Sequence, residues 1–142
     1  MHTLELLHIL RTNPHTARYA TGVYARDRLP KRIRRPLAII INTDESNEAG
    51  THWVSIYIDK SGRGVYFDSY GLPPYYPEFR KFLKKNTSSY TYNKKRIQGQ
   101  DGPCGQYCLY FLMCMLRKKP LQFKYSLDAN DRWIKEWIKT LF

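Results

Sequence analysis

The sequence predicts an α+β fold: a small mixed β-sheet packed with helices, with a cysteine at the N-terminus of a buried central helix. Three observations lead there. Short β-branched and aromatic runs fall at residues 37–41, 52–58 and 64–68. Helical patterns precede and follow them without strict alternation, so the two element types are partly segregated. The most apolar stretch, residues 105–117, is long enough to cross a core as a helix. The 142 residues fit a single domain, 1–142, with one sizeable core.

The elements follow in order. Residues 3–11 (TLELLHILR) carry Leu4, Leu7, His8 and Ile9 at helical spacing, which predicts a short amphipathic helix with those residues on its apolar side. Asn13-Pro14 ends it, because a residue before proline is driven out of the helical region. Residues 15–36 read as irregular and basic, with Pro30 and Pro36 bracketing the densest charge. Residues 37–41 form a continuous β-branched run, the pattern of a buried strand. Residues 42–50 are polar and acidic, hence a loop. Strands at 52–58 and 64–68 flank Asp59-Lys-Ser-Gly-Arg63, which is turn chemistry. Gly71-Leu-Pro-Pro74 breaks the pattern. Residues 78–85 predict a helix with Phe79, Phe82 and Leu83 on one face, and residues 89–97 a strand with Tyr90 and Tyr92 in alternation. A polar, glycine-rich loop at 98–103 delivers the chain to the apolar helix. A last helix, 127–141, turns Trp133, Ile134, Trp137, Ile138 and Leu141 inward.

Composition narrows the class. The 42% hydrophobic and 15% aromatic content belongs to a folded domain, not a disordered chain. No apolar run reaches the roughly 18 residues of a membrane span. The first residues lack the pattern of a secretory signal, so the expected location is inside the cell and not secreted. The three cysteines, Cys104, Cys108 and Cys114, sit in one segment, which argues for a reducing compartment over a disulfide framework. A net charge of +12 favours a polyanionic partner, most obviously nucleic acid.

Cys104 lies in Gln98-Gly-Gln-Asp-Gly-Pro-Cys104-Gly-Gln, where a loop meets the first turn of the apolar helix. Free N–H groups and the positive end of the helix dipole there favour a thiolate, the nucleophilic form. The same N–H groups can stabilise an oxyanion, and Gln98 or Gln100 can add a side-chain donor. An isolated cysteine is usually a packing residue, and Cys108 and Cys114, inside the helix, are read that way. The Gly/Gln loop before Cys104 sets it apart. Cys104 and Cys108 find no further Cys/His pair at ligand spacing, so no metal site is expected.

A thiolate needs a base, and His52 opens a strand in His52-Trp53-Val54; His2, His8 and His15 are terminal, helical or in a loop. If residues 52–58 and 64–68 pair across the 59–63 turn, Ile58 opposes Gly64 and Val54 opposes Asp68. Asp68 then lies diagonally across from His52 on the same face, within side-chain reach. A one-residue slip would send it to the other face.

In this order these residues resemble the adenovirus-type endopeptidases, a clan shared with the SUMO-specific proteases. The blocks YATGVY (19–24), LAIIINT (37–43), GTHW (50–53), VYFDSYG (65–71) and IQGQDGPCGQYCLYF (97–111) carry the likeness, over roughly residues 15–120. The resemblance implies a cysteine endopeptidase with His52 as general base, Asp68 as orienting acid, Gln98 as oxyanion donor and Cys104 as nucleophile. Adenovirus enzymes usually carry Glu at the position of Asp68, and the SUMO-protease branch Asp. Gln98 is preferred over Gln100 because six positions before the cysteine matches the clan's spacing. Relatives occur in viruses and virus-like DNA transposons, where they cleave capsid and core precursors at Gly-containing sites. That implies structural precursor proteins as substrates, a virion or host nuclear or cytoplasmic location, and a monomeric enzyme.

The resemblance also implies stimulation by DNA and by a disulfide-linked peptide. DNA would meet three basic runs: Lys31, Arg32, Arg34 and Arg35; Lys94, Lys95 and Arg96; Arg117, Lys118 and Lys119. All three cysteines lie in the helix that starts at Cys104, which leaves none for a covalent peptide. The sequence itself requires no cofactor. Two alternatives compete: a protease of ubiquitin-like modifiers, and a non-catalytic nucleic-acid-binding module using its twelve tyrosines for stacking.

Overall fold

A computed structural model describes residues 1–47, 52–100, 102–123 and 126–141. It is α+β, with a five-stranded mixed sheet and four helices. The helix α1, Thr3–Thr12, is followed by β1, Ala20–Ala25, a 3-10 turn at Arg26–Arg28, β2, Leu37–Asn42, β3, Trp53–Ile58, and β4, Arg63–Phe67. The chain continues through α2, Pro77–Asn86, β5, Ser89–Tyr92, α3, Cys104–Leu116, and α4, Leu127–Lys139. The strands stand in chain order, β1 to β5. The inner pairs β2–β3 and β3–β4 are antiparallel, and the outer pairs β1–β2 and β4–β5 are parallel.

Strand alternation gives the sheet two apolar faces. Ala38, Ile40, Trp53 and Phe67 turn toward α3, where Leu6, Ile9 and Leu10 of α1 and Ile134 and Ile138 of α4 complete the larger core. Leu37, Ile39, Ile41, Val54, Ile56, Ile58 and Tyr66 turn the other way, onto Phe79, Phe82 and Leu83 of α2. α3 is therefore sandwiched between the sheet and two helices. This is why its sequence is apolar on nearly every side, from Tyr107 to Cys114.

Local chemistry sets the boundaries. Pro14 holds Asn13 in an extended conformation, which stops α1. Pro77 opens α2 at its first turn, where its missing N–H costs nothing. Ser126 caps α4 by accepting from the Ala129 N–H at 3.0 Å. In the β3–β4 turn, Asp59 Oδ1 accepts from the N–H groups of Ser61 and Arg63, both at 2.9 Å. That closed loop fixes the register that follows, Ile58 with Gly64 through Ser55 with Phe67.

Three expectations are corrected. Residues 20–25, read as irregular, form β1. This strand is parallel, at the sheet edge and half-exposed, and its Ala-Thr-Gly-Val-Tyr-Ala run has no clean alternation. The buried face of α1 is Leu6, Ile9 and Leu10; His8 is exposed, and Leu4 is 78% exposed. The strand expected over 89–97 ends at Tyr92. Elsewhere boundaries move by one or two residues. Gly50 and Thr51 of the His-Trp block, the end of the 42–50 loop, and Asp101 lie outside the described residues.

The main core depends on the stack of Phe111 on Phe67, with ring centroids 4.5 Å apart and both rings buried. Phe111→Ala is expected to cost about 3–5 kcal/mol, the usual range for deleting a buried ring. Denaturant unfolding of the native chain and the variant measures it, with the midpoint falling and the slope unchanged.

Candidate active site

The two central antiparallel strands bring an imidazole and a carboxylate to one end of the sheet. His52 immediately precedes β3 and Asp68 immediately follows β4. Extending the observed register by one pair sets Val54 opposite Asp68, with His52 on the diagonal. His52 Nε2 and Asp68 Oδ1 are 2.9 Å apart. The carboxylate is buried, at 4% exposure, and its Oδ1 also accepts from the Tyr70 N–H at 2.8 Å.

Two further features hold Asp68. Asn93 brackets its backbone: Asn93 Oδ1 accepts from the Asp68 N–H at 2.9 Å, and Asn93 Nδ2 donates to the Asp68 carbonyl at 2.6 Å. The chain then turns at Gly71, whose φ of +75° favours glycine. A Cβ there would also stand 2.8 Å from the backbone of Lys95 and Arg96. Tyr70 lies against the imidazole, with centroids 4.9 Å apart, and the Arg96 guanidinium sits 5.1 Å from the Tyr70 ring.

Cys104 is the first residue of α3, after Pro103. Its thiol is buried, and the groups that act on its ionisation are His52 and the backbone N–H groups of Trp53 and Gly105. With His52 Nε2 committed to Asp68, Nδ1 is the ring nitrogen left for sulfur. Burial alone would raise the thiol pKa. The contact with His52 and the two N–H donors outweigh it, and the net shift is downward from the ordinary 9.0. Burial would likewise lower His52, yet its bonds to Asp68 and Cys104 lift it from 6.5 to about 9. The two shifts describe one object, a thiolate–imidazolium pair backed by a carboxylate.

Gln98 and Gln100 separate clearly. Gln98 is fully buried, and Gln100 is exposed. Gln98 Oε1 accepts from the Ser69 hydroxyl at 2.5 Å, and its Nε2 donates to the Gln100 carbonyl at 2.5 Å. A carbonyl can only accept, so this contact fixes which end of the amide is nitrogen. One Nε2 hydrogen remains uncommitted to these bonds. Ser69 adjoins Asp68, so the glutamine and the His52–Asp68 pair share one anchor.

The basic residues divide. Arg35 donates to the Asn86 carbonyl at 2.9 Å, and Lys85 approaches the Lys31 carbonyl at 3.4 Å. Pro36, Lys60 and Lys118 line one cavity, and Arg117 and Lys119 line another with Asn13 and Trp137. Lys94 and Lys95 follow β5 on the Asp68 side, both exposed. Arg96 donates to the carbonyls of Gln98 at 2.7 Å and Gly99 at 2.9 Å. No group of three His, Cys, Asp or Glu among the described residues could hold a metal ion. Among those residues no helix is long and apolar enough to cross a membrane.

Sequence reasoning passed over Ser69, Asn93 and the loop-binding role of Arg96. It also passed over Asp131, although a signal was available: this acid stands in phase with Ile134 and Ile138, on the apolar stripe of α4.

Comparison with known proteins agrees with this geometry. Residues 36–135 match the Ulp1 protease family, C-terminal catalytic domain. A protein of Acanthamoeba polyphaga mimivirus named as a thiol protease is 33% identical over 94 residues, covering 59% of this chain and 31% of its own length. The crystal structure of an ASFV protease, in its selenomethionine form, superposes with a TM-score of 0.52 at 26% identity, over 78% of this chain and 46% of that one. ChlaDub1 of Chlamydia trachomatis shares the fold, with a TM-score of 0.57 at 17% identity over 74% of this chain and 58% of its own. The chain thus spans about a third of the curated viral relative.

The paired shifts predict a pH signature. His52 keeps its proton at neutral pH and loses it as the pH rises through about 9. Asp68→Asn removes the carboxylate that raises it, so this loss moves to lower pH. The thiol, losing part of its cationic partner, moves up toward 9.0. Alkylation of Cys104 by iodoacetamide at pH 7 is expected to slow as the thiolate fraction falls. An unchanged pH profile in Asp68→Asn would disprove the coupling.

Proposed function

The chain belongs to the Ulp1 protease family and carries its cysteine-peptidase catalytic domain, and from that premise we propose an endopeptidase that cleaves structural precursor proteins of a virus or virus-like element. The observation that carries the reading is the shared imidazole: His52 meets Asp68 at 2.9 Å, and the imidazole and the Cys104 thiol shift each other's ionisation. The likeness to the mimivirus and ASFV proteins supports the viral setting. The preference for Gly-containing sites is what the resemblance to adenovirus-type enzymes implies.

In this reading the Cys104 thiolate attacks the scissile carbonyl, and the carbonyl π pair moves onto oxygen. The free Gln98 Nε2 hydrogen and the N–H groups at the start of α3 receive that charge. Collapse expels the amine, which takes its proton from the His52 imidazolium and leaves a thioester on sulfur. Neutral His52 then accepts a proton from water as the hydroxide equivalent attacks the thioester, releasing the acid and Cys104. Asp68 holds the ring in orientation throughout.

DNA is the proposed activator, with the 31–35 and 117–119 basic runs as its contacts. Lys31, Arg32, Arg34, Lys118 and Lys119 are all exposed. Phosphate contacts of this kind are sequence-independent and weaken with salt. Cys108 and Cys114 are both buried, so the reading includes no disulfide-linked peptide. The same reading has the enzyme act as a monomer in the virion or in the host nucleus or cytoplasm.

A fluorogenic peptide ending in Gly-Gly tests the activity. The native chain should turn it over and Cys104→Ala should not, with both giving the same thermal melt; turnover retained in Cys104→Ala would refute the nucleophile. Added DNA should raise the rate at low salt and lose its effect as salt increases. Arg32→Glu with Arg34→Glu should flatten that response without changing the rate in the absence of DNA. A DNA response that persists in the double variant would remove the assigned surface.

A further inference from the structure

Asp131, on α4, is a buried carboxylate at 6% exposure whose partners are all donors. Its Oδ2 accepts from the backbone N–H of Gln100 at 2.9 Å and that of Gly99 at 3.1 Å. Its Oδ1 accepts from the Tyr107 hydroxyl of α3 at 2.6 Å. Next to it, Asn130 Nδ2 donates to the Ile97 carbonyl at 3.0 Å. The start of α4 therefore grips residues 97–100, the segment that carries Gln98.

The rest of that segment is tied as completely. The N–H groups of Ile97 and Gln98 donate to the Ser69 carbonyl at 2.8 and 2.9 Å. The carbonyls of Gln98 and Gly99 accept from Arg96, and the Gln100 carbonyl accepts from Gln98 itself. From Ile97 to Gln100, every backbone N–H and C=O has a partner. Ile97 and Gln98 are buried and need such partners, but half-buried Gly99 and exposed Gln100 could use water and are tied to Asp131 all the same. The approach to α4 is also close: a Cβ on Gly99 would stand 3.0 Å from Asp131 Oδ2.

We propose that Asp131 is a positioning residue for the reaction, fixing the 97–100 loop so that the Gln98 amide is aimed where the oxyanion forms. The inference rests on the reading of Gln98 as oxyanion donor. Only a carboxylate suits the place. Three donors converge on it, and an asparagine would turn an NH₂ group toward at least one of them. The link to Tyr107 adds a second function: one carboxylate ties the loop to α3, the helix that carries Cys104, so loop and nucleophile are held in one frame. Asp131 makes no contact with His52 or Cys104, which separates its effect from theirs.

The test is a double-mutant cycle on the full chain. Gln98→Ala, Asp131→Asn and the combined variant are compared for kcat and KM on the Gly-Gly peptide. The rate of Cys104 alkylation by iodoacetamide, which forms no oxyanion, is measured alongside. Asp131→Asn is expected to lower kcat roughly 10- to 100-fold, with KM and alkylation within about twofold of native. The combined variant should be no slower than Gln98→Ala, because both changes remove the same interaction. Tyr107→Phe, which deletes one donor and keeps the core volume, should show the same pattern at smaller amplitude and serves if Asp131→Asn does not fold. Losses that multiply in the combined variant, or alkylation that falls in step with kcat, would overturn the positioning role. A slow Gln98→Ala beside a native-like Asp131→Asn would overturn it alone. A native-like Gln98→Ala would overturn the oxyanion reading on which it rests.

Discussion

The pairing of Ile58 with Gly64 governs more of this molecule than its two residues suggest. Side chains alternate along a strand, so a slip of one residue would exchange the faces of β4. Phe67 would leave its stack on Phe111 and Tyr66 would leave α2. Asp68 would turn away from His52. One register thus serves the core and the chemistry together, and Asp59 sets it by closing the turn with its carboxylate. Because the apolar faces enforce the register, the site inherits the rigidity of the core. The register brings Asp68 to His52, and the bonds from Asn93 and the Tyr70 N–H then hold it there.

That economy explains how much of the site was legible in the sequence. The hairpin is local: turn residues at 59–63 and alternation on both sides are enough to bring Asp68 near His52. Cys104 was legible because a polar loop running into an apolar helix is an unusual setting for a cysteine. Gln98 and Gln100 could not be separated from the residues alone, since what distinguishes them is Ser69, 29 positions away, which receives one and leaves the other exposed. The missed β1 has a similar cause. A parallel edge strand is defined by its neighbour β2, and six small and mixed residues carry little pattern of their own. In α1 the run Leu-Glu-Leu-Leu-His-Ile-Leu is apolar on several sides, so spacing could not choose the face. Packing chose Leu6, Ile9 and Leu10 and left Leu4 in solvent.

The polar side of the fold has its own architecture. The helices that build the main core also carry Tyr107, Asn130 and Asp131, and these buried groups all point at loop backbone or at each other. Burying such groups is costly unless they are bonded, and here the bonds, all but that of Asn130 Oδ1, run to the segment that leads to Cys104 or between the groups themselves. Across the site, Ser69 and Asn93 do the same for the turn after β4. Apolar contacts fix where the elements lie. The polar contacts then set the geometry of two short loops, which is where a reaction centre needs accuracy.

The remaining question is what favours a thiolate in a buried place. Burial opposes both charges, raising the thiol and lowering the imidazole. An isolated ion pair would barely recover that desolvation cost. Here each charge has support beyond its partner: Cys104 has the N–H groups of Trp53 and Gly105, and His52 has Asp68. Asp68 in turn has the Tyr70 N–H. The series runs negative, positive, negative, and its outer member, the thiolate, sits at the positive end of α3. Among the described residues no acidic side chain lies in the first turn of that helix, where the free N–H groups face the sulfur. The apolar character of α3 follows from its place in the core, and that place also sets its first residue, Cys104, beside His52 at the end of the sheet.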